Sequence, residues 1–360
     1  DVEEKIATFY RQLNIDTELF ERPLKGNLGV QVVRTEQSSN GFGVTADEDN
    51  EGQLVVVPTQ GSSEFTEVLP SLNLALEIRD DHYLRLGAAR TMARPRLDDM
   101  NASISFNFDV AKVGNTDVDN AAFSGSGGNV ALEPTKSWSV DLGYEYYIGD
   151  QGYIATALYY KKLDDYIFNQ SIVMDFSGVP ASIEPATRLG LLSAPNNAEG
   201  GHIQGAEIAT HLTGSLLSDS LAGFGIFASV SLNDGEIRET ADSDPIDIPG
   251  MSKTAASATV YYEENGFQFR VSGRYRDEFL GEVSGRSQAR EERIVMAETV
   301  VDAQIGFDFS TVGIEGLSML LQANNITDEP FRTYENGDER QIKDYQVYGT
   351  NYMVGVSYTF

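Results

Sequence analysis

Three arginines crowd one short stretch, Arg90, Arg94 and Arg96, and their planar guanidinium groups could fork onto a bound molecule through bidentate hydrogen bonds. The structural alternative is that they pair with acidic loops. Aromatic residues beside acids form a second set: Asp164-Asp165-Tyr166 with Phe168, Arg276-Asp277-Glu278-Phe279, and Arg332-Thr333-Tyr334. A ring next to a carboxylate suits stacking against a sugar ring or an apolar ligand. Phe42, Phe123, Phe176 and Phe331 extend that set, and each ring taken singly is more simply explained by packing loops together. Asp47-Glu48-Asp49-Asn50-Glu51-Gly52 opens like a calcium loop, but Pro58 stands where a liganding Glu is required, so it reads as a solvated acidic loop. Asp242, Asp244 and Asp247 offer carboxylates to divalent ions without a defining spacing. Asp98 with Asp99, or a serine with His202 or His211, could be drawn as catalytic pairs. Among 55 acids such pairs arise by chance, and no nucleophile motif of the G-x-S-x-G kind supports them. No catalytic, metal or cofactor residue is assigned.

Composition narrows the classes further. With 26 Lys+Arg against 55 Asp+Glu the net charge is −29, which argues against a phosphate-binding nucleic-acid protein. The absence of Cys removes disulfides, thiolate metal sites and thiol nucleophiles, and the three His cannot build a metal site alone. No apolar run reaches the length of a transmembrane helix.

The elements that must position these residues are strands. Tyr352, Val354, Val356, Tyr358 and Phe360 alternate with Asn351, Met353, Gly355, Ser357 and Thr359, so one face is apolar and the other small or polar. The same period-two pattern recurs in Leu72–Ile78, Leu84–Ala88, Trp138–Tyr146, Phe224–Leu232, Ala256–Tyr262, Phe267–Tyr275, Val301–Phe309 and Leu317–Ala323. Residues 153–164 leave the outward face open between Tyr153/Tyr159 and Ile154/Leu158. Short turns fall near 20–26, 79–81, 148–152, 214–221, 263–266 and 310–316, and long loops near 36–64, 90–136, 165–201, 234–252, 277–296 and 325–349. Short turns at one end and long loops at the other, with no domain linker, predict an antiparallel transmembrane β-barrel of about 13 strands over residues 1–360. The lumen face then carries Glu77, Arg85, Asp141, Glu145, Glu207, Arg270, Arg274, Asp302, Gln304, Asp308 and Gln322. The odd count would start Asp1 outside the cell and end Phe360 in the periplasm. With no initiator Met or signal peptide, the expectation is the C-terminal part of a larger barrel.

Asn324-Asn325-Ile326-Thr327-Asp328-Glu329-Pro330-Phe331, followed by Tyr345, Tyr348-Gly349 and the strand ending Val356-Ser357-Tyr358-Thr359-Phe360, resembles the C-terminal end of TonB-dependent outer-membrane receptors. Asp16–Phe20 with Gly26–Glu36 is similar to their mid-barrel hairpin, and Arg90-Thr91-Met92-Ala93-Arg94-Pro95 to their R-x-x-[SA]-R-P strand end. Asn129–Ser137 resembles their N-P-x-L-x-P-E run, with Glu133-Pro134-Thr135 as a departure. These strings look most like the subset associated with carbohydrate uptake.

The resemblance implies a 22-stranded barrel in the outer membrane, filled by an N-terminal plug and energised through the TonB–ExbB–ExbD complex. Neither the plug nor the early strands are in this sequence. It implies a receptor, with no enzymatic activity or cofactor, that captures a scarce solute in its outer loops and imports it. An oligosaccharide is the expected solute, with a ferric siderophore or a passive diffusion channel as alternatives. Solute contacts are expected at Arg90, Arg94, Arg96, Tyr166, Phe168, Phe279 and Tyr334. Glu77, Arg85, Asp141, Glu145, Arg270, Arg274 and Asp302 are expected to face the plug. Tyr358 and Phe360 resemble the signal read by the barrel-assembly machinery. Lipopolysaccharide phosphates are a further partner for the arginines above the lipid.

Overall fold

The computed structural model describes residues 1–47, 53–179, 181–238, 240, 242–284 and 291–360. In chain order the strands are β1 (Val2–Leu19), β2 (Arg22–Asp47), β3 (Gln53–Arg79), β4 (His82–Ala93), β5 (Ile104–Phe108), β6 (Phe123–Gly127) and β7 (Thr135–Tyr147). Then come β8 (Gly152–Asp175), β9 (Leu189–Thr213), β10 (Phe224–Ile237), β11 (Ile246–Asp247), β12 (Thr254–Glu264) and β13 (Phe267–Arg276). The last are β14 (Phe279–Ser284), β15 (Glu291–Val295), β16 (Glu298–Asp308), β17 (Leu317–Asn324), β18 (Phe331–Glu335), β19 (Asp338–Gln346) and β20 (Asn351–Tyr358). No α-helix occurs among the described residues.

Thirteen of these strands, β1, β2, β3, β4, β7, β8, β9, β10, β12, β13, β16, β17 and β20, pair in that order, each antiparallel to the next. The ladder keeps the two faces apart. Leu74, Leu86, Leu142, Leu158, Ala206 and Leu232 stand opposite one another across six strands, and Leu158 is 58 % exposed on the outside. One rung over, Ala75, Arg85, Gly143, Ala157, Glu207 and Ser231 form the inner row. A single-residue slip would send every leucine inward, so the apolar row fixes the register. It also settles residues 153–164: Ile154 and Leu158 point outward, and Tyr153 and Tyr159 point into the lumen.

The turns match expectation in place and differ in detail. The first lies at Phe20-Glu21, both left-handed at φ 54° and 60°, and Arg22 already belongs to β2. Asn265-Gly266 makes the same two-residue turn with residues suited to it.

Most of the expected long loops are instead strand. β2, β3, β8 and β9 run for 26, 27, 24 and 25 residues, whereas a membrane crossing takes about 9–11. Their far halves extend the ladder beyond the lipid as two tall hairpins, which replace the loops expected at 36–64 and 165–201. Polar residues such as Thr35, Gln37 and Ser39 carry no apolar period there, yet their backbone groups still pair and their side chains are buried. The 90–136 segment contains β5 and β6, 234–252 contains β11, and the last two long segments build a separate four-stranded sheet in the order β14-β15-β18-β19.

The most deeply buried cluster sits in this loop-side cap. Phe123 and Phe176, each 1 % exposed, stack at 5.1 Å and 8°, with Phe106 beside them. β5 pairs parallel with β2 at Gly43 and Val44, and β6 pairs parallel with β9 at Ser124–Ser126. The β5–β6 hairpin thus joins β2 to β9 and completes a ring of eight strands. Its flanking segments lie on the inner face of β2. Gln37 Nε2 donates to the carbonyls of Val130 and Leu132 at 2.7 Å each, and Ala102 N donates to Ser39 Oγ at 2.8 Å. Approach is close enough at Gly41 that a Cβ would fall 2.6 Å from Ser103 N.

Candidate functional site

Trp138 and Tyr160 mark the loop-side end of the outward apolar rows. Beyond them, five strands bring charges together at the loop-side end of the wall. Lys136 lies 2.9 Å from Glu133, 3.3 Å from Glu67 and 3.9 Å from Asp165. Arg90 lies 3.4 Å from Glu67 and 3.7 Å from Asp164. Asn197 ties the group to β9, donating to Asp165 at 3.1 Å and to the Glu133 carbonyl at 2.9 Å. Four carboxylates therefore share two cations in a partly buried setting. Burial pushes the Asp165 carboxyl above its ordinary value, against the pull of Asn197 and Lys136. Burial also works to lower the Lys136 ammonium, but the bond to Glu133 and the charge of Glu67 outweigh it and hold it above its ordinary value. Sequence reasoning does not single out Glu67, Lys136 or Asn197. Only Lys136 stood in a quoted motif, because cross-strand register is needed to see the other two meet it.

The remaining arginines are separate. Arg94 is 4.0 Å from Glu4, and Arg96 forks onto Asp98 through Nε and a terminal nitrogen at 3.0 and 2.5 Å. Tyr166 and Phe168 are half-buried neighbours with rings 6.1 Å apart.

Phe279 and Tyr334 help to line a groove of about 480 Å³ between β11 and the four-stranded sheet, together with Ile246, Asp277, Glu278 and Ile294. Its rings are largely engaged. Arg276 sits over Phe279 at 4.5 Å, and Tyr334, 6 % exposed, donates its hydroxyl to Glu278 at 3.2 Å. Asp247 is paired with Lys253 at 3.2 Å. The segment 48–52 of the acidic stretch Asp47–Gly52 lies outside the described residues.

On the lumen wall, Arg85 pairs with Glu145 at 2.7 Å, Arg270 with Glu263 at 3.1 Å, and Arg274 with Asp302 at 3.3 Å. Glu77 and Asp141 share that face. His202 stacks on Tyr160 and lies 3.9 Å from Glu236, and His211 stacks on Phe227 with its Nε2 2.8 Å from the Tyr261 hydroxyl. At the C-terminus, the rings of Tyr358 and Phe360 meet edge to face at 5.0 Å.

The Asn325 turn explains its own residue types. Asn325 and Asp328 are left-handed, at φ 52° and 50°, a conformation Asn and Asp tolerate better than other side chains with a Cβ. Asn325 Oδ1 accepts from Glu329 N at 2.9 Å, while Asn325 N donates to Asp302 on the neighbouring strand at 2.9 Å. Thr327 Oγ1 donates to the Thr299 carbonyl at 3.2 Å. The motif closes β17 and staples it to β16.

Residues 2–326 match the family model described as TonB dependent receptor-like, beta-barrel. The chain belongs to the TonB-dependent receptor β-barrel family. The receptor barrel resembles the siderophore receptor PirA from Acinetobacter baumannii, with 13 % identity and a TM-score of 0.61 over 100 % of this chain and 55 % of PirA. Unliganded ferric citrate transporter FecA gives 14 % identity and a TM-score of 0.57, over 100 % of this chain and 46 % of FecA. The FrpB iron transporter from Neisseria meningitidis gives 13 % and 0.60, over 99 % and 44 %. At such identities the likeness establishes the fold. The receptor barrel spans about half the length of these structures. A search of curated protein sequences finds no match. Members of this family are transporters of the outer membrane, and the thirteen-strand wall with its outward leucine rows is the corresponding part of this chain.

Proposed function

We propose that the chain is the C-terminal wall of an outer-membrane active transporter that imports a ferric chelate. The match over residues 2–326 carries the transporter class, and the structural neighbours, a siderophore receptor, a ferric citrate transporter and an iron transporter, support the solute class. Nothing in the comparisons supports an oligosaccharide. That expectation rested on the carbohydrate-uptake resemblance and on acidic, aromatic-bearing loops; of those rings Phe123 and Phe176 are core, Tyr334 is buried and Phe279 lies under Arg276, while Tyr166 and Phe168 are half-buried. In this reading the short turns and Phe360 face the periplasm and the tall hairpins face outward. The lumen holds a plug supplied by another part of the protein, and TonB with its ExbB and ExbD partners supplies the energy. Arg90 and the network around it would then stand at the entrance, holding its wall in shape.

The test is uptake of radiolabelled ferric citrate, ferric enterobactin and a maltooligosaccharide in a strain lacking the gene, with and without TonB. TonB-dependent recovery of one iron chelate by the restored gene is expected. Recovery of sugar uptake alone would overturn the solute class, and uptake that persists without TonB would overturn active transport.

A further inference from the structure

The lumen face of a barrel is expected to be polar, yet six rings gather on it near the turn side. Tyr83, Tyr147, Tyr153, His211, Phe227 and Tyr261 come from β4, β7, β8, β9, β10 and β12. Tyr83 and Tyr147 meet edge to face at 5.8 Å, and Tyr147 reaches Tyr153 at 6.4 Å. Tyr153 stands opposite His211 in the ladder, and His211 stacks on Phe227 at 4.1 Å and 11°. Tyr261 closes the belt, 5.5 Å from Phe227, with its hydroxyl 2.8 Å from His211 Nε2. Gly225 makes this possible. A Cβ there would fall 2.1 Å from the Tyr261 ring, so the ring lies over the wall where the strand carries no side chain.

Two ion pairs flank the belt, Arg85 with Glu145 and Arg270 with Glu263, and each is neutralised within itself. One rung toward the loop side, Gly143, Ala155, Ala157 and Ala209 leave a depression of about 290 Å³ in the wall, which Arg85, Glu145, Asp141 and Glu207 also line. Tyr147 and Phe227 remain 40 % and 42 % exposed to the lumen.

We propose that this belt is a second solute-contact site, inside the lumen near its turn-side exit, for a planar aromatic ring of low charge. The open faces of Tyr147 and Phe227 beside the depression suit offset or edge-to-face stacking, and the Asp141 and Glu207 carboxylates that line it can accept hydrogen bonds from ring hydroxyls. The proposal rests on the transporter reading and adds a solute feature to it: an aryl group carried through the barrel would pause here.

The test uses the full-length receptor from outer membranes, as wild type, Phe227→Leu and the double variant Phe227→Leu with Tyr147→Leu. Leucine keeps an apolar wall and removes the ring face. Binding of catechol is read by saturation-transfer NMR, with glycerol as the ring-free control. Uptake of ferric dihydroxybenzoate is compared with that of ferric citrate, and vancomycin sensitivity reports the seal of the lumen. Removing one or two stacking faces should weaken catechol binding by about three- to tenfold and slow the aryl chelate while sparing ferric citrate. Unchanged catechol binding would overturn the site. Raised vancomycin sensitivity with equal slowing of both chelates would overturn it too, by showing that the belt seats polypeptide. If wild type takes up neither chelate, the ferric-chelate reading fails, and catechol binding still decides the belt.

Discussion

Replacing Phe123 by Ala should detach the cap while leaving the membrane wall intact. The ring is 1 % exposed, stacked on Phe176 at 5.1 Å, 4.8 Å from Phe108, and covered by the Arg188 guanidinium at 5.7 Å. Truncating such a buried Phe costs about 3–5 kcal/mol. Along the ladder only two residue pairs join the β5–β6 hairpin to β2 and three to β9, and the bonds of Gln37 and Ser39 hold its flanks rather than residues 104–127. With a factor of ten for each 1.4 kcal/mol or so, amide protection in residues 104–127 should fall by about a hundredfold to a few thousandfold. Hydrogen exchange read by mass spectrometry on the detergent-solubilised receptor measures this directly. The β12, β13, β16 and β17 amides should keep their protection, because none of them contacts the cluster through the ladder. Unchanged protection in 104–127 would refute the assignment of the core to the cap. Equal loss along the wall would refute the separation of cap from barrel.

Lys136→Met should destabilise the loop-side network by about 2–3 kcal/mol, somewhat below the loss for a fully buried pair, because it strands Glu67 and Asp165. Lys136→Arg should recover part of the melting temperature. Asn325→Ala should cost about 1–2 kcal/mol through the left-handed backbone and the lost bond to Glu329, read as a lower temperature for loss of the folded band on a gel. Asn325→Gly should cost less. The Arg340 side chain holds Asp338 down from 3.8 to about 2. Because the folded value is the depressed one, its contribution is present above 3.8 and is lost as pH falls toward about 2. Exchange protection at the start of β19 should follow that window, and Asp338→Asn should abolish the dependence.

The period-two apolar rows determined by themselves that this chain makes an antiparallel barrel wall, and how many strands it has. Leu74, Leu86 and Leu142 can face lipid only if each strand alternates, so the pattern is written in every segment. The Asn325 turn was equally legible, because a left-handed residue that must also accept a backbone N–H leaves few side chains that fit. The tall hairpins were not legible. Thr35, Gln37 and Ser39 lack an apolar period because the segment that buries them is itself polar backbone from residues 102–132, far away in sequence. The site was hardest to read. Glu67, Arg90, Lys136, Asp165 and Asn197 come from five strands, and only the register makes them neighbours. The loop rings showed the converse: Tyr334 in Arg332-Thr333-Tyr334 reads as a solute contact in sequence, but its hydroxyl donates to Glu278, 56 residues away, once the sheet forms. Chemistry that depends on cross-strand distance is decided by the fold, because a sequence records which face a residue takes but not what stands opposite it.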